Sequence, residues 1–248
     1  MEEKIVYEVI RIIDGVPIFL ESHINRMKNS FNLVGKEFPL ETEEVYEKIN
    51  SVIKKENKTI GNIKLTYGLK SKELKVFFID HSYPDEELYE KGVKTILYFG
   101  ERTNPNAKIV NDDFRSKVNK EIKENNAFEA ILIDRNGFIT EGSKSNIFMV
   151  RGETLITSPV KAVLPGVTRG EIIDIAKRIG IPVLEEEYSF KEIDRLDGMF
   201  ISGTSPKVLP INQVNHIKFN AQNNVIKTIA DNYNKEIQMY VNKINSKK

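Results

Sequence analysis

The chain has 248 residues, 40% hydrophobic and 29% charged, which fits one large globular domain or two small ones. Lysine and arginine number 37 against 36 acidic residues, so a net charge of +1 offers no bulk field to gather nucleic acid or an anionic membrane. Cysteine is absent and His23, His81 and His216 are the only histidines, which excludes disulfide scaffolds, thiol nucleophiles and Cys-based zinc sites and suits a reducing cytoplasm.

No apolar run reaches the ~18 residues of a membrane-spanning helix. Met1-Glu2-Glu3-Lys4 lacks the basic-then-apolar form of a secretion signal. Residues 4–13 are β-branched and partly alternating, Asp14-Gly15 is a hairpin turn, and 16–20 resume the apolar run as a second strand. From Ser22 the period becomes helical, with Ile24, Met27 and Phe31 on one face, until Gly35. Residues 41–56 read as a second helix, followed by strands at 62–68, 73–80 and 93–99. The polar stretch 100–107, GERTNPNA, marks a domain boundary and divides the chain into 1–104 and 105–248. Beyond it the pattern gives a helix at 112–125, a strand at 128–133, an Arg135-Asn136-Gly137 turn into 138–140, and strands at 145–150 and 154–158. A helix at 167–179 ends at Gly180 and Pro182, strands recur at 182–188 and 198–203, and a long amphipathic helix at 222–243 closes the pattern, with Asn245–Lys248 expected to fray. The class is mixed α and β in two lobes.

The sequence has no GxGxxG, GxxxxGKS/T, GxSxG or HExxH, which removes the common nucleotide loops, the α/β-hydrolase elbow and the zinc-protease helix. Four weaker signals remain. Leu164-Pro165-Gly166-Val167-Thr168-Arg169 puts a glycine and a hydroxyl at a helix start, where unpaired amides and the dipole suit a phosphate; taken alone, an ordinary capped helix is the more common reading. Ser202-Gly203-Thr204-Ser205 follows an apolar strand and reads either as hydroxyl donors or as a plain turn. Glu141, in Thr140-Glu141-Gly142-Ser143-Lys144-Ser145-Asn146, is either a ring partner or a solvated loop acid. Lys108 is either a surface charge or, if desolvated, an amine able to form a Schiff base with an aldehyde. Together they are the parts that pyridoxal 5'-phosphate requires.

The chain resembles the class IV aminotransferase family, which holds the branched-chain and D-amino-acid transaminases and 4-amino-4-deoxychorismate lyase. The resemblance runs from about Tyr7 to Pro210 and is densest in FEAILIDRNGFITEGSKSNIF and VLPGVTR, between 128 and 169. It implies a two-lobed D-amino-acid-aminotransferase-like fold, α+β, with a small N-terminal α/β lobe over 1–104 and a larger, β-barrel-like C-terminal lobe with helices over 105–248 that binds pyridoxal 5'-phosphate. Lys108, 21 residues before Glu129, matches the family's Schiff-base lysine, which also shuttles the proton. Glu141 matches the acid that faces the pyridine nitrogen. Gly166, Val167 and Thr168 match the phosphate-binding helix start, Thr204 a second phosphate hydroxyl, and Ser205 a position near the substrate carboxylate. Arg26, in His23-Ile24-Asn25-Arg26, matches an arginine directed to the phosphate, a dianion suited to a guanidinium fork. Tyr7 matches an aromatic of the substrate pocket.

Three departures bear on substrate. Relatives carry a longer segment before Tyr7. Ile63-Lys64-Leu65-Thr66-Tyr67 replaces the Arg-x-His clamp of the D-amino-acid enzymes, leaving Lys64 or Lys70 as point charges. Pro206-Lys207 stands where many transaminases have Glu. The resemblance implies an aminotransferase moving an amino group between an amino acid and a 2-oxo acid, with no metal. The alternatives are a lyase that makes 4-aminobenzoate and pyruvate in folate biosynthesis, and an inactive relative with a binding role. It further implies a cytoplasmic homodimer, without nucleic acid or membrane partners.

Overall fold

In the structure, a computed structural model, residues 3–102, 105–109 and 112–246 are described. They divide into two compact units: 3–82, 107–109 and 235–246 form one, and 83–102, 105–106 and 112–234 the other.

The first unit is a four-stranded antiparallel sheet backed by helices. Strand β1 (Ile5–Ile13) turns through Asp14 and Gly15 (φ 50° and 71°) into β2 (Val16–Pro17). Two positive φ angles make the tight mirror-image turn that matches strand twist, and Gly15 supplies the second at little cost. The expected strand at 16–20 shrinks to two residues, because Pro17 has no ladder N–H and Phe19 (φ 52°) turns the chain into α1 (Leu20–Asn32), two residues before the expected start. Helix α2 (Thr42–Glu56) opens with a capping box in which the Glu41 amide donates to Glu44 Oε2 at 2.8 Å. Strands β3 (Gly61–Gly68) and β4 (Leu74–Ile79) complete the order β2-β1-β3-β4. Alternation along β1 sends Ile10 and Ile12 into a core with Leu20, Ile24, Val45 and Ile49, and turns Tyr7 and Val9 to the opposite face.

The second unit begins at α3 (Glu86–Lys91), an element absent from the sequence expectation, capped where Asp85 accepts the Leu88 amide at 2.9 Å. Strand β5 (Val93–Phe99), helix α4 (Asp112–Glu124), β6 (Glu129–Ile133), β7 (Phe138–Gly142), β8 (Asn146–Arg151) and β9 (Thr154–Thr157) follow. Then come α5 (Val167–Arg178), β10 (Val183–Glu185), β11 (Tyr188–Ser189), β12 (Gly198–Gly203), β13 (Lys207–Val214) and β14 (Ile217–Lys218), with α6 (Asn224–Asn245), whose residues from 235 onward count with the first unit, last among the described elements. Pairings β8-β12-β13-β5-β6-β7, with β7 returning to β8, close a six-stranded barrel. Ile131, Ile147, Met149, Met199, Ile201 and Leu209 help fill its core.

The expected boundary at 104/105 moves for a physical reason: β5 pairs with β13 and β6, which assigns the residues from 83 onward to the barrel. Conversely, the Ile109 bridge to Val6 ties 107–109 to the first sheet. Thr103 and Asn104 lie outside the described residues, as do Lys247 and Lys248 of the expected frayed end. The single strand expected at 182–188 is two short ones, and β13, which runs through Pro210, was not anticipated. The proline is tolerated because parallel pairing with β5 begins only at Ile211.

Candidate active site

In the first unit, β1 and α1 hold a buried ion cluster. Glu8 is fully buried, and Arg26 forks onto it with Nε to Oε1 at 2.8 Å and Nη2 to Oε2 at 2.5 Å. His23, one helical turn before Arg26, bonds Glu8 Oε2 through Nδ1 at 2.9 Å. An ionised carboxylate only accepts, so Nδ1 carries the proton. Burial alone would push the Glu8 carboxyl up, but the Arg26 charge, the His23 and Arg26 hydrogen bonds and the Lys108 charge hold it down to about 2. Burial pushes His23 below its ordinary value against the pull of Glu8, so the ring is held neutral.

Lys108 sits beside this cluster with its backbone fixed at both ends. Its amide donates to Ser30 Oγ at 3.3 Å, Ser30 Oγ donates to the Arg26 carbonyl at 3.0 Å, and the Tyr7 amide donates to the Lys108 carbonyl at 3.1 Å. Lys108 Nζ stands 5.0 Å from the centre of the Tyr7 ring, and Lys64 Nζ, on β3, is 5.2 Å from the same centre. Strand register explains Lys64: it pairs with Val9, two residues from Tyr7 and on the same face. Tyr7, Lys64 and Lys108 thus gather at one place, while Arg26 commits two of its nitrogens to Glu8.

In the second unit, Glu141 and the start of α5 are tied together. Glu141, near the end of β7 and 3% exposed, accepts the Leu164 amide on Oε2 at 2.9 Å and Arg102 Nη1 on Oε1 at 3.2 Å. Asn146, paired with Glu141 across β7 and β8, donates Nδ2 to the Leu164 carbonyl at 2.9 Å. Gly166 then opens α5 with no side-chain cap, and a Cβ on it would lie 2.0 Å from Asn146 Oδ1. The amides of Val167 and Thr168 are those that a helix start leaves without intrahelical partners. Thr168 is buried, with Tyr233 Oη 3.4 Å from its hydroxyl.

Thr204 and Ser205 belong to the turn between β12 and β13, whose Pro206 carbonyl accepts the Tyr89 hydroxyl at 3.0 Å. Ser202, just before it, pairs with Asn146 across the sheet and is 1% exposed, and its hydroxyl has no partner among the described residues. Glu8, Ser30, Arg102, Glu129 and Asn146 were given no role from the sequence. Asn146 alone had a signal, its place two residues past the Ser143-Lys144 turn.

The model of the amino-transferase class IV family matches residues 5–214. The chain belongs to the class IV aminotransferases. It is 32% identical over 227 residues to a Methanocaldococcus jannaschii protein provisionally named branched-chain-amino-acid aminotransferase, covering 84% of this chain and 78% of that one. The crystal structure of the Escherichia coli branched-chain amino acid aminotransferase superposes with a TM-score of 0.84 at 25% identity, over 94% of this chain and 86% of that one. A Legionella pneumophila structure provisionally named 4-amino-4-deoxychorismate lyase shares the fold, with a TM-score of 0.84 at 21% identity, over 93% of this chain and 90% of that one.

The family depends on pyridoxal phosphate, and this class IV aminotransferase has residues that fit it. An orphaned buried hydroxyl at Ser202, an uncapped helix start at Gly166 and a buried acid at Glu141 are the donor and acceptor set for a phosphorylated pyridine. Among the described residues no helix is long and apolar enough to cross a membrane, and no cluster of three His, Cys, Asp or Glu suits a metal.

Proposed function

We propose that this enzyme transfers the amino group of a branched-chain amino acid to a 2-oxo acid, using pyridoxal 5'-phosphate. The observation that carries the reading is the bond from the Leu164 amide to Glu141, which joins the ring acid to the helix start that would seat the phosphate. The names of the relatives at 28–32% identity support the substrate class.

When bound, the cofactor supplies an electron sink for the carbanion formed at the substrate α-carbon. Lys108 Nζ holds the cofactor between turnovers, then removes and returns the α-proton. Its fixed backbone keeps that amine aimed while the side chain moves. Glu141 keeps the pyridine nitrogen protonated. The amides of Val167 and Thr168 and the hydroxyl of Thr204 would bind the phosphate. Tyr7 lines the substrate pocket, and Lys64 and Ser205 meet substrate carboxylates. We assign the enzyme to the cytoplasm, as the absence of cysteine suits, and its working form to a homodimer.

The test is an absorption spectrum of enzyme loaded with pyridoxal phosphate, before and after a panel of L- and D-amino acids. Conversion to the pyridoxamine form by valine, leucine or isoleucine is expected. A spectrum unmoved by every amino acid, with 4-aminobenzoate released from aminodeoxychorismate, would replace the transaminase with the lyase. Lys108→Ala should lose turnover yet bind the cofactor reversibly, and full activity in that variant would remove the mechanism.

A further inference from the structure

Glu129 is a buried carboxylate that the mechanism above does not use. It opens β6 and is 4% exposed. Its Oε1 accepts the Ala130 amide at 2.9 Å, the Ser143 amide at 3.1 Å and the Ser143 hydroxyl at 2.5 Å. Its Oε2 accepts the Lys144 amide at 3.3 Å and the Ser145 hydroxyl at 3.1 Å. Four of these five donors belong to Ser143, Lys144 and Ser145, the turn between β7 and β8. Only a carboxylate accepts so many bonds on two atoms, and no lysine or arginine is within ion-pair reach of it among the described residues.

The turn that Glu129 gathers is flanked by two residues that grip one peptide. Glu141 before it takes the Leu164 N–H, and Asn146 after it gives Nδ2 to the Leu164 carbonyl. Leu164 leads through Pro165 into Gly166, where α5 begins. From these contacts we infer that Glu129 is a positioning residue: it fixes the 143–145 turn and thereby the distance between the Glu141 carboxylate and the start of α5. A cofactor seated on both needs that distance held, since a misplacement of about 1 Å already costs about a hundredfold in rate. The inference rests on the cofactor reading above, and its experiment separates the two.

The comparison is wild type against Glu129→Gln, which keeps the shape but replaces one acceptor oxygen with a donor NH2. The first readout needs no cofactor. Hydrogen exchange of the Leu164 amide should quicken by about tenfold or more in the variant, while amides in the β12 core keep their protection. The second is a titration with pyridoxal phosphate followed by absorbance across pH, in which the variant should bind about tenfold more weakly and its chromophore should titrate at a shifted pH. Ser143→Ala with Ser145→Ala, which removes two donors and leaves Glu129 in place, should show both effects in milder form and covers the case in which Glu129→Gln fails to fold. Unchanged Leu164 exchange, with wild-type affinity and an unmoved chromophore pH profile, would overturn the inference. Wild type that takes up no pyridoxal phosphate would overturn the cofactor reading instead, leaving the exchange result to stand alone.

Discussion

Replacing Glu8 with Gln removes the negative centre of a buried cluster. Arg26 is 8% exposed and holds Glu8 through Nε and Nη2, so the variant leaves a guanidinium in the interior without its counter-charge. Breaking a buried pair from one side costs about 3–5 kcal/mol. A second route gives a similar figure. The Glu8 carboxyl is held at about 2 against an ordinary 4.5, which at about 1.4 kcal/mol per unit is about 3 kcal/mol of folding stability at neutral pH. Because the folded value lies below the unfolded one, this contribution is complete above about pH 4.5 and is lost as pH falls toward 2. Urea unfolding from pH 7 downward is the assay. Wild type should exceed Glu8→Gln by about 3 kcal/mol at pH 7, and the gap should narrow below pH 4.5. His23, kept neutral by burial against the pull of Glu8, also weakens the protein as pH drops below its ordinary 6.5. Adding Arg26→Met to the variant should recover part of the loss, since an apolar group leaves no buried charge. A gap that stays constant with pH, or a Glu8→Gln protein as stable as wild type at pH 7, would refute the reasoning.

Gly166→Ala places a methyl 2.0 Å from Asn146 Oδ1, so Asn146 must move and release Leu164; a loss of about 2 kcal/mol in urea unfolding is expected, with weakened uptake of pyridoxal phosphate. Tyr240→Phe keeps the edge-on contact with Phe19 but removes the hydroxyl that accepts the Leu20 amide at 3.3 Å and donates to Glu21 at 2.7 Å; it should cost about 1 kcal/mol by the same assay, an effect absent in a Tyr46→Phe control.

The sequence carried most of the elements and the chemistry of single residues, and stopped where a residue's meaning depends on a distant partner. The Asp14-Gly15 turn and the 42–56 helix were legible because turn dihedrals and helical period are local. Glu8 was not, because one acid in a β-branched strand reads as surface until Arg26 is seen to fork onto it. Glu129 served only as a marker for counting back to Lys108, and four of its five donors lie in a turn more than ten residues away. β13 went unseen although it runs through Pro210, a residue that strands carry poorly and that is tolerated here because pairing with β5 begins only at Ile211. Lys108, Glu141 and Thr168 were picked out as chemistry, but what holds each in place emerged only from packing.

The barrel's closure has a consequence of its own. Of its six junctions, the one between β7 and β8 is a single residue pair, Glu141 with Asn146. Beside that pair, Thr157 at the end of β9 donates its hydroxyl to the Ile147 carbonyl of β8 at 2.8 Å, and Ser158 donates to the Ile139 carbonyl of β7 at 2.7 Å. The ring is therefore closed at its thinnest stitch by the backbones of the same two residues whose side chains grip Leu164. A molecule that binds there in the folded protein and not in the unfolded chain therefore stabilises the fold beside its narrowest seam.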